Sequence, residues 1–327
     1  MKTFRTILPL PPAPFRLTHA DRLLLLGSCF TEHMGRCLAD GKFSVLVNPN
    51  GIVYNPVSIA GTLDSLLGDA PAQAPLVELN GLWHSWQHHG HFSRPDRADA
   101  LEAIRSAWQT AAAFLAQTNR LIITLGTAEV YSLRETGEIV ANNHKAPAAW
   151  FGQRRLGVAE TVGVLKPVLV KLKNRLPGLE VILTVSPVRH LRNGFVENQR
   201  SKAVLLLACA ELCDQPGLAS YFPAYELLLD DLRDYRFYAP DMVHPAETAV
   251  EYIWQYFAET YFPADTRRLL DQIEKIAAAA RHRPFHAATP EYRNFARKQL
   301  EAIGLLEQTH PMLDFSAEKS WFEQYSL

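Results

Sequence analysis

The segment Leu23–Phe30 places small polar residues between a buried strand and a helix. Its four consecutive leucines are typical of a strand that is covered on both faces of a parallel sheet. Gly27 then interrupts the strand where the backbone must turn sharply, and a helical pattern begins at Thr31. Backbone N–H groups at the start of a helix favour negative charge. Ser28 and Cys29 are therefore candidate nucleophiles, and an ordinary turn with small residues is the alternative.

The composition is that of an ordinary globular protein. Of the 327 residues 48% are hydrophobic and 20% are charged, which is enough for a sizeable core. The net charge of −1 lacks the basic excess that nucleic-acid binders use, so no nucleic-acid partner is expected. No apolar run approaches the about 20 residues that span a bilayer. The proline-rich start of the chain is incompatible with a signal peptide, which predicts a cytoplasmic protein without a membrane partner.

The four cysteines predict neither a disulfide framework nor a zinc site. No two of them form a Cys-x-x-Cys pair. Cys37, Cys209 and Cys213 are expected to pack as small hydrophobic residues. No metal and no cofactor is expected.

Short apolar runs alternate with helical patterns along most of the chain. The predicted strands are Leu23–Leu26, Phe43–Val47, Leu121–Leu125, Val181–Val185 and Leu218–Phe222, and the predicted helices are Thr31–Asp40, Ala98–Ala116, Val158–Arg175 and Ser201–Cys213. This alternation predicts an α/β protein with three α/β/α layers around a parallel sheet. Chemistry in such sheets gathers at the carboxyl ends of the strands, where small or polar residues follow each predicted strand.

The character of the sequence changes after about residue 262. Leu269–Ala280 and Glu291–Leu306 have the pattern of amphipathic helices. We therefore predict a main domain at residues 1–262 and a helical C-terminal extension at residues 263–327. These helices either pack on the main domain or form a homo-oligomer.

The loop before the aromatic helix Glu247–Phe257 contains Asp241 and His244. A carboxylate three residues from a histidine can fix the imidazole tautomer and leave the other nitrogen free to accept a proton. A serine hydroxyl needs such a base before it becomes a good nucleophile. The spacing alone is weak evidence, but the order Ser28, Asp241, His244 is more specific. Ser28 is favoured over Cys29, because the side chain of residue 29 should point away if that of residue 28 points into the site.

Several segments resemble the GSCFA family of the SGNH/GDSL hydrolase superfamily. They are Gly27–Phe30, Asn48–Pro56, Thr124–Glu129, Thr184–His190, Asp231–Tyr238 and Asp241–Pro245. The resemblance runs from about residue 20 to residue 260. Thr31 replaces the alanine that gives the family motif its last letter.

The resemblance implies a flavodoxin-like three-layer fold and a Ser28–His244–Asp241 triad. It also implies an oxyanion hole made from the N–H of the nucleophile, a glycine N–H and an asparagine side chain. Gly51 is the glycine candidate. The superfamily asparagine is absent, since the matching segment reads Gly126-Thr127-Ala128-Glu129. The replacement candidates are Thr127, Asn142, Asn143, Asn48 and Asn55.

Two further stretches bear on substrate binding. Residues 83–92 contain four histidines, and they are expected to form an exposed loop or a wall of the substrate cleft rather than a metal site. Arg189 and His190 follow the fourth predicted strand and are candidates for binding an anionic or carbonyl-bearing substrate. In Arg233-Asp234-Tyr235-Arg236 the charges either serve the same purpose or pair with each other.

These residues together predict a serine hydrolase that cleaves a small-molecule or carbohydrate acyl ester through an acyl-enzyme. An O-acyltransferase that passes the acyl group to a carbohydrate hydroxyl has the same triad. A non-catalytic binding or scaffold protein that keeps the fold is the third interpretation, and the missing asparagine at Ala128 is its main support.

Overall fold

The computed structural model describes residues 5–9, 13–68, 75–286 and 289–326. Its described part contains a five-stranded parallel sheet with strand order β2-β1-β5-β9-β10. The strands of this sheet are β1 (Arg22–Gly27), β2 (Ser44–Val47), β5 (Arg120–Leu125), β9 (Glu180–Val185) and β10 (Ser220–Tyr221). Numbered within the sheet alone, this order is 2-1-3-4-5, the flavodoxin-like arrangement. The predicted fold class is confirmed.

Helices cover both faces of the sheet. They are α1 (Cys29–Asp40), α2 (Pro56–Leu67), α3 (Arg97–Leu115), α4 (Val158–Arg175), α5 (Gly194–Cys213), α6 (Ala224–Glu226), which continues into a π-helical segment (Leu227–Leu232), α7 (Glu247–Tyr261), α8 (Ala264–Arg281), α9 (Pro290–Thr309) and α10 (Ser316–Ser326). Short 3₁₀ turns lie at Gly90–Phe92, Ala148–Trp150, Leu191–Asn193 and Tyr235–Phe237.

The leucine run of β1 shows why the sheet needs two helical layers. Successive side chains of a strand face opposite sides, so Leu24 and Leu26 pack in the core formed with α2, α3, α4 and α5. Leu23 and Leu25 pack on the other side with α1, α7 and the π-helical segment. All four leucines are fully buried. A strand that is apolar on both faces is stable only in the middle of such a sandwich.

Two small antiparallel sheets lie outside the central sheet. The hairpin β3 (Leu76–Leu79) and β4 (Leu82–Ser85) turns at Asn80 and Gly81, which both have positive φ, as a tight hairpin turn requires. The second sheet has the order β7 (Ile139–Val140), β6 (Glu129–Leu133), β8 (Phe151–Arg155). Trp86, Val140 and Phe151 form the small core beside these strands.

The C-terminal helices α8, α9 and α10 enclose a hydrophobic cluster of their own. This unit also touches the main sheet region, because the Lys42 ammonium binds the Glu318 carboxylate at 2.8 Å and lies over the Phe315 ring. The division at residues 262 and 263 stays a prediction, as does self-association through these helices.

The differences from the predicted elements are local. Helix α4 has the predicted bounds, whereas β10 is shorter than predicted and α5 begins at Gly194 instead of Ser201. Helices α2 and α10 and the two small sheets were not predicted. Among the described helices, none is long and apolar enough to cross a membrane.

Gly27 occupies a position that no other residue fits. Its φ is +140°, and a Cβ atom there would overlap the carbonyl group of Thr124 on the neighbouring strand β5. The close approach lets the Ser28 N–H donate to the Thr124 oxygen at 3.2 Å. The turn that presents Ser28 therefore depends on the missing side chain of Gly27.

We expect Gly27→Ala to lower the free energy of unfolding by about 2–6 kcal/mol, since backbone strain and overpacking add. Urea denaturation measures the change. Gly163→Ala is the matched control, because Gly163 lies in α4 with open space around it and the substitution should stabilise the helix slightly. Equal midpoints for wild type and Gly27→Ala would contradict the steric argument.

Candidate functional site

Ser28 lies where β1 ends and α1 begins, beside the carboxyl end of β5. Its backbone is extended, and its hydroxyl caps α1 by accepting the N–H of Phe30 at 3.3 Å. The chain order reverses between β1 and β5, which is the position where flavodoxin-like folds bind ligands. Ser28 is only 1% exposed. The predicted nucleophile thus lies at the position in the sheet that favours ligand binding, but its side chain is buried.

Asp241 and His244 form the predicted pair. The His244 Nδ1 lies 2.6 Å from the Asp241 Oδ2, so this nitrogen carries the proton and the ring is held in one tautomer. Asp241 Oδ1 accepts the backbone N–H groups of Val243 and His244. These bonds, led by the His244 N–H, lower the pKa of Asp241 to about 2. The carboxylate therefore stays charged across the physiological pH range.

The Asp241–His244 loop is fastened to the loop that follows β9. The Arg189 N–H donates to the Val243 oxygen at 3.1 Å, and its guanidinium donates to the Met242 oxygen at 3.2 Å. The guanidinium also lies 4.0 Å above the ring of Tyr238. Arg189 was predicted to bind substrate, and in this structure it holds the histidine loop.

His190 lies deeper in the same region. Its ring meets the Tyr54 ring edge to face, with centroids 5.0 Å apart. Burial, together with the charges of Lys202 and His244, lowers the pKa of His190 to about 4. Burial, then the Arg36 charge and then the His244 charge lower the pKa of His33 on α1. His244 therefore lies at the carboxyl edge of the sheet, although it forms no hydrogen bond with the Ser28 hydroxyl within the described structure.

The loop after β2 borders Ser28 directly. The Asn48 Oδ1 accepts the Gly27 N–H at 2.9 Å, whereas its Nδ2 is buried without a hydrogen-bond partner among the described residues. The Gly51 N–H donates to the backbone carbonyl oxygen of Asn48 at 2.7 Å. Gly51 has a φ of +77° and no room for a Cβ beside His89. The two backbone donors expected at an oxyanion hole, those of Ser28 and Gly51, are thus both engaged.

The side chains of the other candidates form local hydrogen bonds. The Thr127 hydroxyl pairs with the Ser201 hydroxyl at 3.0 Å and accepts the Glu129 N–H. Asn55 caps α2 through Ser58. The Oδ1 atoms of Asn142 and Asn143 accept the N–H groups of His144 and Lys145. Asn48 is the candidate that combines an unpartnered donor with contact to the Gly27–Ser28 turn.

The histidine-rich stretch, residues 83–92, was predicted to be either an exposed loop or a wall of the substrate cleft. It is not an exposed loop. His84 and His88 are buried, and His88 binds the Ser85 hydroxyl at 2.8 Å. His89 packs against Gly51 and donates its N–H to the Asn50 oxygen, so the stretch is a wall beside the loop after β2. Among the described residues, no group of three or more histidine, cysteine or acidic side chains is placed to hold a metal ion.

Cys29 is the first residue of α1 and packs against the core on the α1 side of the sheet. Burial raises the pKa of its thiol, which disfavours the reactive thiolate. Cys29 therefore fits the predicted packing role.

Lys202 was absent from the predicted site. It lies on α5, is 1% exposed, and donates to the carbonyl oxygens of Gly126 and Ser186 at 2.7 Å each. A signal was present in the sequence, because Lys202 shares the apolar face of α5 with Leu205 and Cys209. A lysine on such a face is rarely fully buried without a reason.

The fold and the strand-end residues define a flavodoxin-like α/β protein with a helix-capping serine at its switch point. The model of the GSCFA family matches residues 22–257, and this chain belongs to the GSCFA family. A second model, for the C-terminal domain of GSCFA domain proteins, matches residues 273–325. A search of curated proteins found no match.

Two solved structures resemble this chain at low identity. One is a carbohydrate esterase family 3 protein from Talaromyces cellulolyticus, with 9% identity, a TM-score of 0.36, and coverage of 78% of this chain and 99% of that one. The other is the acetyl xylan esterase Est2A from the rumen bacterium Butyrivibrio proteoclasticus, with 12% identity and a TM-score of 0.36. The match covers 73% of this chain and 62% of Est2A. Scores this low support no inference about function.

We expect stability to fall as the pH decreases from 6.5 to 4. Burial lowers the pKa of both His88 and His190 to about 4 from 6.5, so the unfolded chain binds more protons in this window. Thermal melting between pH 7 and pH 4 measures the loss. The double variant His88→Gln/His190→Gln should show a shallower dependence, and melting curves that shift in parallel with wild type would refute this origin.

Proposed function

We propose that the protein is a serine hydrolase that cleaves ester bonds, with Ser28 as nucleophile, His244 as general base and Asp241 as the residue that orients the imidazole. The observation that carries the proposal is the helix-capping Ser28 at the switch point, with an Asp241–His244 pair at 2.6 Å on the same edge of the sheet. Membership of the GSCFA family is compatible with this assignment, because the family model spans all three residues.

In the proposed reaction the Ser28 Oγ attacks the ester carbonyl carbon while the His244 Nε2 takes the hydroxyl proton. The tetrahedral intermediate collapses, and the alcohol leaves with the proton from His244. Water then attacks the acyl-enzyme, again losing a proton to His244, which returns it to the Ser28 Oγ as the bond to the acyl group breaks and the acid is released. The charged Asp241 stabilises the imidazolium that forms in both steps.

We propose Asn48 as a donor to the oxyanion. Its Oδ1 is fixed by the Gly27 N–H, which sets the side-chain orientation and leaves Nδ2 available next to the nucleophile. A single preorganised donor of this kind contributes about 3–4 kcal/mol to transition-state stabilisation. Asn48 would thereby replace the asparagine that Ala128 lacks.

The buried state of Ser28 sets a condition on this chemistry. A side chain that is 1% exposed cannot reach an ester carbonyl until its surroundings move. Hydrogen bonds of a catalytic serine also commonly tighten only when substrate is bound. In the proposed cycle, substrate entry therefore accompanies a rearrangement that exposes Ser28 and brings its hydroxyl to His244.

A non-catalytic binding protein is the second candidate function. The observation in its favour is that the N–H groups of Ser28 and Gly51 both already donate to carbonyl oxygens. Labelling with a serine-directed fluorophosphonate separates the two candidates, since an active hydrolase forms an adduct at Ser28 and a binding protein does not. Product analysis with sugars present additionally separates hydrolysis from acyl transfer.

We expect Ser28→Ala to lower the hydrolysis of a small chromogenic acyl ester by at least about 1,000-fold, because the nucleophile is lost. Cys29→Ala is the matched control and should retain most of the activity. Circular dichroism verifies that both variants stay folded. Equal activity of Ser28→Ala and wild type would reject Ser28 as the nucleophile.

We expect Asn48→Asp to lower kcat by about 100-fold with little change in KM. Aspartate keeps an oxygen that accepts the Gly27 N–H and tolerates the positive φ of 44° at this position, but it has no N–H to donate. Steady-state kinetics on the same ester measures both constants. An unchanged kcat would exclude the Asn48 amide from the oxyanion hole.

A further inference from the structure

Lys202 lies buried between the ends of two strands of the central sheet. Its Nζ bridges the Gly126 and Ser186 carbonyl oxygens, and these residues directly follow β5 and β9. Within the described structure no carboxylate pairs with this ammonium group. Burying an unpaired ammonium is expensive, so a fully buried lysine without an acid is not explained by stability.

The bridge orients the peptide that follows β5. The Gly126 carbonyl points to Lys202, and the N–H of the same peptide, which belongs to Thr127, donates to the Tyr54 oxygen at 3.0 Å. The Gly126 N–H donates to the same oxygen at 2.8 Å. Lys202 is therefore linked, through the Gly126 peptide, to the backbone of the loop that contains Asn48, Gly51 and Tyr54.

That loop in turn holds the nucleophile. The Val53 N–H donates to the Gly27 oxygen at 3.1 Å, and the Asn48 side chain accepts the Gly27 N–H. Hydrogen bonds and the short backbone segment of Val53 and Tyr54 thus connect the Lys202 ammonium, through the Gly126 peptide, to Gly27, the residue before Ser28.

The adjacent residue of α5 supports the same loop. The Ser201 hydroxyl accepts the Ala128 N–H at 2.7 Å and pairs with Thr127. Ser201 and Lys202 thus hold three consecutive residues, Gly126 to Ala128, at the place where the superfamily asparagine is missing.

The electrostatic neighbours of Lys202 lie around the candidate site. They are Cys29 on α1, His190 after β9 and the Tyr225 ring on α6, whose centroid lies 5.7 Å from Nζ. Burial lowers the pKa of Lys202 to about 7. The group is therefore close to its titration point at neutral pH, where a small change in its surroundings alters its charge.

We propose that Lys202 is a positioning residue for Ser28: its ammonium group holds the ends of β5 and β9 together and thereby fixes the loop that carries Asn48 against the nucleophile. This inference rests on the proposed hydrolase function. Deprotonation removes one N–H donor and the charge that strengthens the two remaining bonds, so the reactivity of Ser28 should fall as the pH rises above about 7.

The test compares wild type, Lys202→Met and Lys173→Met. Methionine keeps an unbranched side chain, one atom shorter than that of lysine, and removes the donors. Lys173 is the matched control, because it binds Glu180 at 3.2 Å at the opposite end of β9. The rate of fluorophosphonate labelling at Ser28 and the kcat and KM for a small acyl ester are measured from pH 5 to pH 9.

We expect Lys202→Met to lower the labelling rate and kcat by about 100-fold with KM little changed, as a displacement of about 1 Å would. The decline above pH 7 should be present in wild type and in Lys173→Met and absent from Lys202→Met. Lys202→Arg restores a charge and donors and should recover part of the rate.

The outcomes separate this inference from the proposed function. No adduct at Ser28 in wild type overturns both. An adduct in wild type together with wild-type rates and pH profile in Lys202→Met overturns the role of Lys202 alone. If Lys202→Met does not fold, the wild-type profile decides: a decline above about pH 7 supports the inference, and a constant rate up to pH 9 overturns it.

Discussion

The backbone of Gly27 lies so close to Thr124 that no side chain fits between them, and the geometry of the site depends on this approach. Three hydrogen bonds tie this turn to its neighbours. The Ser28 N–H reaches the Thr124 oxygen, the Gly27 oxygen accepts from Val53, and the Gly27 N–H donates to Asn48. The ends of β1, β2 and β5 are thereby joined at one point, and Ser28 is presented at the amino end of α1.

Two polar groups at the site are withdrawn from water. Lys202 is buried between two strand ends and Asn48 is 8% exposed, whereas Arg189 is half-buried where it holds the histidine loop over the Tyr238 ring. Electrostatic interactions of buried polar groups such as these are stronger than in water. The same burial covers Ser28. In the proposed function, substrate binding therefore requires local movement around Ser28, which we expect in the loops rather than in the sheet.

The sequence patterns predicted the central sheet well because its strands are buried on both faces. Continuous apolar runs such as Leu23–Leu26 have no other stable position, and α4 was predicted to the residue. The half-buried strands β3 and β4 were not predicted from the sequence, because their stability comes from cross-strand pairs and not from a hydrophobic run. Their Asn80–Gly81 turn and the Asn55–Pro56 start of α2 were readable signals. At the site, the contact between Asp241 and His244 could be predicted because two side chains three residues apart can meet through local backbone geometry alone.

The sequence by itself determined the fold class, the strand–helix turn at Ser28, and the pairing of Asp241 with His244, because each depends on residues that are neighbours in the chain or on a simple pattern of burial. Tertiary structure alone decided which hydrogen-bond donors are free. The backbone N–H groups of Ser28 and Gly51 are engaged, whereas the side-chain Nδ2 of Asn48 has no partner among the described residues. Lys202 joins strand ends that lie more than fifty residues apart in the chain. Whether a polar group is satisfied depends on partners that the fold brings from distant segments, and no local pattern contains that information.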